Sequence, residues 1–417
     1  MRLDRFKIAI RAIDQRAGER SGELPLLSVS QHKGVVPRAE LAGDEGRALD
    51  LGIYKVCRPG DIVLNRMSAY NGAVGLSRQD GIVSPDYLVL RPTPGMDGAF
   101  LAYLVRSQAF VAEMTRRVKG IGSTDSGSVR TPRIGLSELG DIRVHLPEFA
   151  MQRAIADYLD RETAQIDSFI AKNEELIALL GERRDAIVAN EVTGTGLPGG
   201  RRQVDADWFD SLPAHWEVLP LRAVARTFPG GTPKSDDPAF WSDDEGAEWI
   251  SIADMKAVDA GRAGVGRKIT RAGLSEAGLT PKQGPLVLFA MYASVGEIAL
   301  LRRTAVWNQA ILGLEVVASR YEAAYLYWAL RALRPHLPQY FRSNTQNNLN
   351  AAQVRSFRLP TPPLPQQRDI ASRIEAAVER SQQAIAVAER GIALARERRA
   401  ALISAAVTGK IDVGVAA

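Results

Sequence analysis

The stretch QRAIADYLDRETAQIDSFIAKNEELIALLGERRDAIVANEVTG, residues 152–194, has a near copy in QRDIASRIEAAVERSQQAIAVAERGIALARERRAALISAAVTG, residues 367–409. The two align without a gap at an offset of 215 positions, the difference between 367 and 152. They share the opening Gln-Arg, a Glu-Arg-Arg before the end and the closing Val-Thr-Gly. A match this long without a gap indicates an internal duplication.

Both copies are predicted to be long helices. They are rich in Ala, Glu, Arg, Leu and Ile and contain no internal proline. A proline-bearing stretch precedes each copy, and each ends at a glycine that can take the left-handed capping conformation. At 1.5 Å per residue, about 40 residues give a rod of roughly 60 Å.

Residues recur along both helices with the three-four spacing of a coiled coil. The predicted core positions are Ala156, Leu159, Thr163, Ile166, Ile170, Asn173, Ile177, Leu180, Arg184 and Ile187 in the first helix, and Ala371, Ile374, Val378, Ser381, Ile385, Ala388, Ile392, Ala395, Arg399 and Leu402 in the second. This spacing continues for about five heptads, as a coiled coil requires.

The two helices are predicted to pack on each other as an intramolecular antiparallel coiled coil. The second helix carries Ser381, Ala388 and Ala395 where the first carries large residues such as Ile166 and Leu180. The alternative is two separate amphipathic helices, each packed on its own globular domain. The predicted coiled-coil or partner interface consists of Ile170, Ile177, Leu180, Ile187, Ile385, Ile392 and Leu402.

The segments before the helices are predicted to be mixed α/β (α+β) domains. They are loosely related, since RPGDIVLNRMSAYNGAVGL (58–76) parallels KQGPLVLFAMYASVGEIAL (282–300). The predicted fold alternates two globular domains with the two helices in a pseudo-twofold arrangement. Its parts are a first globular domain (1–145), a central helical spacer (146–194), a Gly/Pro-rich linker (195–215), a second globular domain (216–360) and a C-terminal helical spacer (361–417).

The composition narrows the class of protein. The single cysteine, Cys57, excludes an intramolecular disulfide and a Cys-rich metal site. The sequence shows no signal-peptide pattern and no run of about 18 uncharged apolar residues, so a cytoplasmic location is expected. A net charge of +5 is compatible with a polyanionic partner.

The chain resembles the specificity subunit of type I DNA restriction–modification systems along nearly its whole length. The duplicated helix, from its Gln-Arg-x-Ile-Ala start to its Glu-Arg-Arg…Val-Thr-Gly end, is similar to that family's two spacer regions. Residues 216–255, the segment GPLVLFAMYASVGEIAL with Trp307–Ile311, and NTQNNLN (344–350) resemble parts of a target-recognition domain. The first domain begins almost at once with MRLDRFKIA, so it either lacks the family's leading strand or translation starts upstream.

The resemblance implies a function and a set of partners. Each target-recognition domain would bind one half of a split, asymmetric sequence of double-stranded DNA, and the helical spacers would set the gap between the half-sites. Two modification subunits would dock on the spacers and transfer a methyl group from S-adenosylmethionine to adenine, and motor-nuclease subunits could join them. This chain would itself bind no cofactor and no metal, and would contact no membrane.

Candidate DNA-binding residues are chosen as basic groups for phosphates and planar hydrogen-bonding groups for base edges. In the first domain they are Lys33, Arg38, Arg66, Tyr70, Asn71, Ser123, Thr124, Arg130 and Arg133. In the second they are Thr232, Lys234, Tyr292, Asn308, Gln309, Asn344, Thr345, Gln346, Asn347 and Asn348. The loops 120–133, 230–236 and 342–349 hold most of them. The acidic stretch 242–248 is expected to lie off the DNA face.

No catalytic centre is predicted. GTGLPG (194–199) follows a helix where a dinucleotide-binding motif would follow a strand, and the four histidines have no metal-ligand spacing. The sequence has no Asn/Asp-Pro-Pro-aromatic tetrapeptide of the kind that an amino-methyltransferase needs for the flipped base. The alternatives to a DNA-specificity subunit are a non-catalytic scaffold that binds proteins through its globular domains and, third, a self-contained methyltransferase.

Overall fold

The structure, a computed structural model, describes residues 3–30, 34–41, 50–69, 72–118, 133–262, 264, 266–341, 347–411 and 413. The chain divides into two compact units. Unit 1 comprises Met1–Glu174 and Ala388–Ala417, and unit 2 comprises Glu175–Val387. Each unit therefore contains a mixed α/β part and a segment of both long helices. None of the helices in the described residues is long and apolar enough to cross a membrane.

Unit 1 is built on a four-stranded antiparallel sheet. Its strands are β1 (Asp4–Arg5), β2 (Ile10–Ile13), β3 (Leu27–Ser30), β4 (Gly34–Pro37), β5 (Lys55–Cys57), β6 (Ile62–Asn65), β7 (Val74–Leu76), β8 (Gly81–Val83), β9 (Tyr87–Pro92) and β10 (Arg143–Val144). Its helices are α1 (Gly98–Arg106), α2 (Gln108–Arg117), α3 (Leu136–Gly140), the first part of α4 (Phe149–Thr193) and the last part of α10 (Leu364–Val407). The main sheet has the order β2-β9-β6-β7, and the pairs β1-β10, β3-β4 and β5-β8 complete the unit.

Unit 2 repeats this plan and adds a second sheet. Its strands are β11 (Arg201–Gln203), β12 (Ser211–Pro213), β13 (Glu217–Pro220), β14 (Ala225–Pro229), β15 (Trp241–Ser242), β16 (Ala247–Ile250), β17 (Arg267–Ile269), β18 (Leu286–Ala290), β19 (Ile298–Leu301), β20 (Val306–Trp307), β21 (Ile311–Val316) and β22 (Arg358–Thr361). Its helices are α5 (Leu221–Val224), α6 (Met255–Asp259), α7 (Arg271–Glu276), α8 (Ala323–Leu333), α9 (Ala351–Ser356), the last part of α4 and the first part of α10 (Leu364–Val407). The sheets have the orders β14-β21-β18-β19 and β15-β17-β16-β20.

The two globular parts share one topology. The sheet β2-β9-β6-β7 of unit 1 corresponds strand for strand to β14-β21-β18-β19 of unit 2. In both units a helix (α1, α8), a short helix (α3, α9) and a closing strand (β10, β22) follow the sheet in the chain. The loosely similar segments 58–76 and 282–300 contain the equivalent hairpins β6–β7 and β18–β19. The predicted α/β fold with a duplicated plan is therefore confirmed.

The long helices pack on each other within each unit. In unit 1, Arg396 donates to Glu174 at 3.0 Å and Arg399 pairs with Asp167 at 3.0 Å. In unit 2, Arg373 donates to Glu191 at 2.7 Å. Residue numbers thus rise along one helix as they fall along the other, so the helices are antiparallel. Every predicted core position is buried or half-buried, including all seven predicted interface residues, Ile170, Ile177, Leu180, Ile187, Ile385, Ile392 and Leu402.

The first domain has a leading strand, although a short one. β1 pairs with β10 across Asp4 and Val144, as β13 pairs with β22 in unit 2. The Phe6 amide then donates to the Ile142 carbonyl at 2.8 Å, the counterpart of a Leu221-to-Phe357 bond of the same length in unit 2. The interpretation that the first domain lacks this strand is wrong, because two residues are enough to pair at this edge.

The predicted linker, residues 195–215, is partly folded. β11 and β12 form an antiparallel hairpin, and Trp208, Phe209 and Leu212 between and within these strands are buried in the core of unit 2. The Trp208 indole N–H also donates to the Arg358 carbonyl at 2.8 Å. The Gly/Pro content of the segment predicts a connector, but three large apolar side chains are enough to anchor it to the globular part.

The duplicated glutamine at the start of each long helix has the same structural role in both units. Gln152 is fully buried; its Oε1 accepts from the Asp97 amide at 2.9 Å and its Nε2 donates to the Pro147 carbonyl at 2.8 Å. Gln367 is also fully buried and bonds the Glu322 amide and the Pro362 carbonyl, both at 2.8 Å. Since Asp97 and Glu322 are the N-cap residues of α1 and α8, the glutamine joins two helix starts.

Replacing Gln152 by leucine is expected to lower the free energy of unfolding by roughly 2–3 kcal/mol, because a buried amide and a buried carbonyl lose their partners. Urea unfolding followed by circular dichroism measures the change. Gln165→Leu is the matched control, since Gln165 is exposed on the same helix and an exposed substitution changes stability by about 0.5 kcal/mol or less. Equal effects from the two variants would contradict this role for Gln152.

A tyrosine also fixes the globular part of unit 1 to its long helix. The Tyr103 hydroxyl on α1 donates to Asp160 at 2.6 Å and lies 3.1 Å from the Thr163 hydroxyl, both on α4. Burial, together with the bond to Asp160, raises the pKa of Tyr103 to about 12. The hydroxyl therefore stays protonated and keeps donating at neutral pH.

Candidate nucleic-acid interface

All seven described candidates of unit 2 lie at one end of its main sheet. β14 ends at Pro229, which pairs with Leu312, and β18 ends at Ala290, which pairs with Ile311 at the start of β21. The segments 230–236, 291–297 and 308–310 therefore leave the sheet at the same end. We call these segments, together with 347–349, the loop end of unit 2.

Residues 347–349 join this end through a backbone bond. The Leu349 amide donates to the Met291 carbonyl at 3.0 Å. Asn350 then caps α9 in a capping box with Gln353, which fixes the direction in which the segment enters the helix. As a result the exposed Asn347 and the half-buried Asn348 lie beside the turn that carries Tyr292.

The loop 230–236 presents two of the candidates. Thr232 and Lys234 are exposed, and the Thr232 hydroxyl donates to the side-chain oxygen of Gln309. Asn308 is half-buried, and its side-chain oxygen accepts from the Ala310 amide at 3.1 Å. The structure thus places Thr232 and Gln309 in direct contact. The side-chain oxygen of Asn308, in contrast, stabilises the turn in which Asn308 lies.

Tyr292 lies beside a cleft of about 630 Å³. Its side chain is 39% exposed, and the next residue, Ala293, has a left-handed φ of 61°, which tightens the turn. The cleft is lined by Lys256, Ser294, Arg334, Phe341 and Asn347 among others. Lys256 offers a cation for phosphates, Asn347 an amide for a base edge and Phe341 an aromatic face, whereas Arg334 pairs at 3.2 Å with Glu297, which also lines the cleft.

One carboxylate of the acidic stretch 242–248, that of Glu248, is neutralised inside unit 2. Both carboxylate oxygens of Glu248 accept from Arg303, each at 2.5 Å, and this bond raises the pKa of Arg303. Lys268 donates to the Asp244 carbonyl at 2.5 Å. The pair Glu248–Arg303 links β16 to the turn before β20, so this acidic residue has a structural role.

In unit 1 the structure places Arg66 and Arg133 together. Arg66 Nε donates to the Ile134 carbonyl at 3.0 Å, and the Ile134 amide donates to the Arg66 carbonyl at 3.1 Å. Arg66 follows β6 directly, so this pair corresponds to the Met291–Leu349 bond of unit 2. Arg133 is exposed next to it, while Arg66 is half-buried and also serves to hold the backbone.

Arg38 lies on a separate element of unit 1. It begins a short 3-10 helix after β4, is half-buried, and its amide donates to the Leu26 carbonyl at 2.9 Å. The other candidates lie outside the described residues. They are Lys33, Tyr70, Asn71, Ser123, Thr124, Arg130, Asn344, Thr345 and Gln346.

Two sets of exposed residues were not predicted. Lys256 and Arg334 line the cleft at the loop end, but no local pattern marks them because they come from α6 and from the turn after α8. Large apolar side chains are also exposed on the long helices outside the predicted core positions. They are Phe149, Phe169, Leu176, Leu179, Val387 and Leu394. A second apolar stripe beside the heptad core is the signal that could have identified them.

Comparison with known proteins supports the resemblance. Residues 213–386 match the family model of the type I restriction modification DNA specificity domain. The type I restriction enzyme EcoBI specificity subunit of Escherichia coli is 23% identical over 273 residues, which cover 61% of this chain and 55% of that protein. The chain thus spans about half the length of this curated relative.

Two solved structures have the same fold. A chain from a study of complex assembly and conformational transition of the type I R-M system superposes with a TM-score of 0.67 at 16% identity, covering 98% of both chains. The HsdS subunit from Thermoanaerobacter tengcongensis gives a TM-score of 0.54 at 17% identity, covering 98% of this chain and 97% of that one. Together with the family model, these matches confirm the resemblance seen in the sequence.

Proposed function

We propose that this chain, a relative of the specificity subunits of type I restriction–modification systems, binds double-stranded DNA and directs adenine methylation by partner subunits. Each globular part recognises one half of a split, asymmetric target, and the paired helices set the gap between the halves. The observation that carries this proposal is the duplicated sheet with candidate side chains at the same end in both units: Arg66 and Arg133 in unit 1, and the loop end in unit 2.

The chemistry of the loop end fits duplex DNA. Gln309 and Asn347 can pair with adenine through two hydrogen bonds, and the arginines of unit 1 can pair with guanine in the same way. Lys234, Thr232 and Lys256 can bind phosphates, which position a protein on DNA without selecting a sequence. A recognition domain needs both kinds of group within one surface.

The methyl transfer itself is assigned to partners. Two modification subunits would supply S-adenosylmethionine and the catalytic residues, and motor-nuclease subunits would add restriction where they are present. The large apolar residues Leu176, Leu179 and Val387 are exposed on the long helices, and we assign the docking of the modification subunits to this part of the helices. This chain then acts as the non-catalytic subunit that selects the site.

The adenine methylome of the source cell, with and without this gene, tests the proposal. We expect methylation at one split motif to disappear when the gene is deleted and to return when it is restored. Purified chain, assembled with the modification subunits, should bind that motif with a steep log–log dependence on salt, because phosphate contacts release counterions. An unchanged methylome with the modification subunits expressed, or binding insensitive to salt, would favour a protein-binding scaffold.

A further inference from the structure

Two tryptophans of unit 2 hold the loop 230–234 through its backbone. The Trp249 indole N–H donates to the Gly231 carbonyl at 2.8 Å, and the Trp241 indole N–H donates to the Lys234 carbonyl at 3.0 Å. These two carbonyls flank Thr232, whose hydroxyl contacts Gln309. An indole N–H is a donor only, so each bond fixes both the ring and the carbonyl that it contacts.

The tryptophan rings are themselves fixed by their neighbours. Trp241 lies on β15 and Trp249 on β16, and both strands pair with β17. The two rings meet edge to face with centroids 5.1 Å apart, and the Arg267 guanidinium covers the Trp241 ring at 3.9 Å. Such contacts favour one orientation of each ring.

The backbone amides of the loop make one further bond to each sheet, through Trp307 of β20 in the second sheet and Ile311 of β21 in the main sheet. The Gly231 amide donates to the Trp307 carbonyl at 2.9 Å, and the Gly230 amide donates to the Ile311 carbonyl at 3.3 Å. The loop therefore lies between the two sheets of unit 2 and is bonded to both. Its exposed side chains, Thr232 and Lys234, point away from a backbone that is held at four places.

We propose that Trp241 and Trp249 are positioning residues for DNA recognition: they hold the loop 230–234 so that Thr232 and Lys234 meet the half-site recognised by unit 2. This inference rests on the proposed function and goes beyond it, because neither tryptophan is itself placed on the DNA. It predicts that loss of one indole N–H weakens recognition of one half-site and leaves recognition of the other unchanged.

The test uses the full chain in its assembled complex and the motif identified from the methylome. Trp249→Phe keeps an aromatic ring but removes the bond to Gly231. Trp208→Phe is the matched control, since it removes an indole-to-carbonyl bond of the same length, 2.8 Å, at a core position away from the loop. Binding is measured on the complete target and on two duplexes, each with one half-site scrambled.

We expect Trp249→Phe to weaken binding to the complete target by about tenfold, as the loss of a well-placed hydrogen bond does. This loss should largely disappear on the duplex whose unit 2 half-site is scrambled, and it should persist at about tenfold on the duplex whose other half-site is scrambled. Trp208→Phe should bind all three duplexes like the wild type. Trp241→Phe should reproduce the loss seen with Trp249→Phe.

The outcomes separate this inference from the proposed function. If the wild-type complex does not prefer the complete target, the proposed function fails. If the wild type shows the preference but Trp249→Phe and Trp208→Phe behave alike, the tryptophans have no positioning role. An equal loss of selectivity at both half-sites would also overturn the inference, because it would indicate general destabilisation.

Discussion

Removing one heptad from each long helix is expected to shorten the gap between the methylated half-sites by about three base pairs, because seven residues span about 10 Å of helix and one base pair spans about 3.4 Å of DNA. The deletions are Ala171–Ile177 from α4 and Gly391–Glu397 from α10. They keep the heptad register and remove Glu174 and Arg396 together, so neither member of that ion pair is left alone. The half-site sequences should be unchanged.

The methylome of cells that express the shortened chain measures this result. Methylation at the original motif should be lost, and the same half-sites should be methylated at the new spacing. A control chain keeps both heptads but has alanine at their exposed positions, such as Lys172 and Glu175; it should keep the original gap. Methylation of altered half-site bases, or of the original motif, would contradict the proposal that the helices set the gap.

The sequence predicted the two long helices better than it predicted the candidate site, because a helix depends on the spacing of residues that are close in the chain. The heptad pattern depends only on residues three and four apart, so it is visible in one sequence. Because the segment is duplicated, the heptad pattern occurs twice in the sequence. The match between the two copies begins at Gln152 and Gln367, the buried glutamines that bond the start of a neighbouring helix. The structure extends α4 to Phe149, three residues before the predicted start at Gln152, since helix boundaries depend on local caps.

The candidate site was less predictable because its members come from distant parts of the chain. Asn347 meets the Tyr292 turn only because the Leu349 amide bonds to Met291. Lys256 and Arg334 reach the same cleft from two further elements. Trp241 and Trp249 lie on β15 and β16, which both pair with β17. No local sequence pattern indicates this pairing. Pairing between distant strands decides these contacts, and a single sequence does not show it.

The loop 230–234 begins with two glycines, Gly230 and Gly231, which differ in the space available for a side chain. A Cβ on Gly230 would lie 2.0 Å from the Asn308 carbonyl oxygen and 2.4 Å from that of Trp307, both backbone atoms. A Cβ on Gly231 would meet its nearest atom, the Ala277 carbonyl oxygen, at 3.2 Å. A methyl group at Gly230 therefore requires a large movement of the backbone, whereas one at Gly231 requires a shift of only a few tenths of an ångström.

Gly230→Ala is therefore expected to displace the loop 230–234 from the turn at Asn308 and to weaken binding to the complete target by about a hundredfold, the loss of roughly 3 kcal/mol of recognition. Gly231→Ala, the neighbouring control, should lose less than about fivefold, since a shift of a few tenths of an ångström relieves its contact. Binding by the assembled complex and methylation of the motif in cells measure both variants. Because the added Cβ would clash with backbone carbonyl oxygens at the loop end, equal tolerance of alanine at the two positions would show that this loop is not part of the DNA-binding surface.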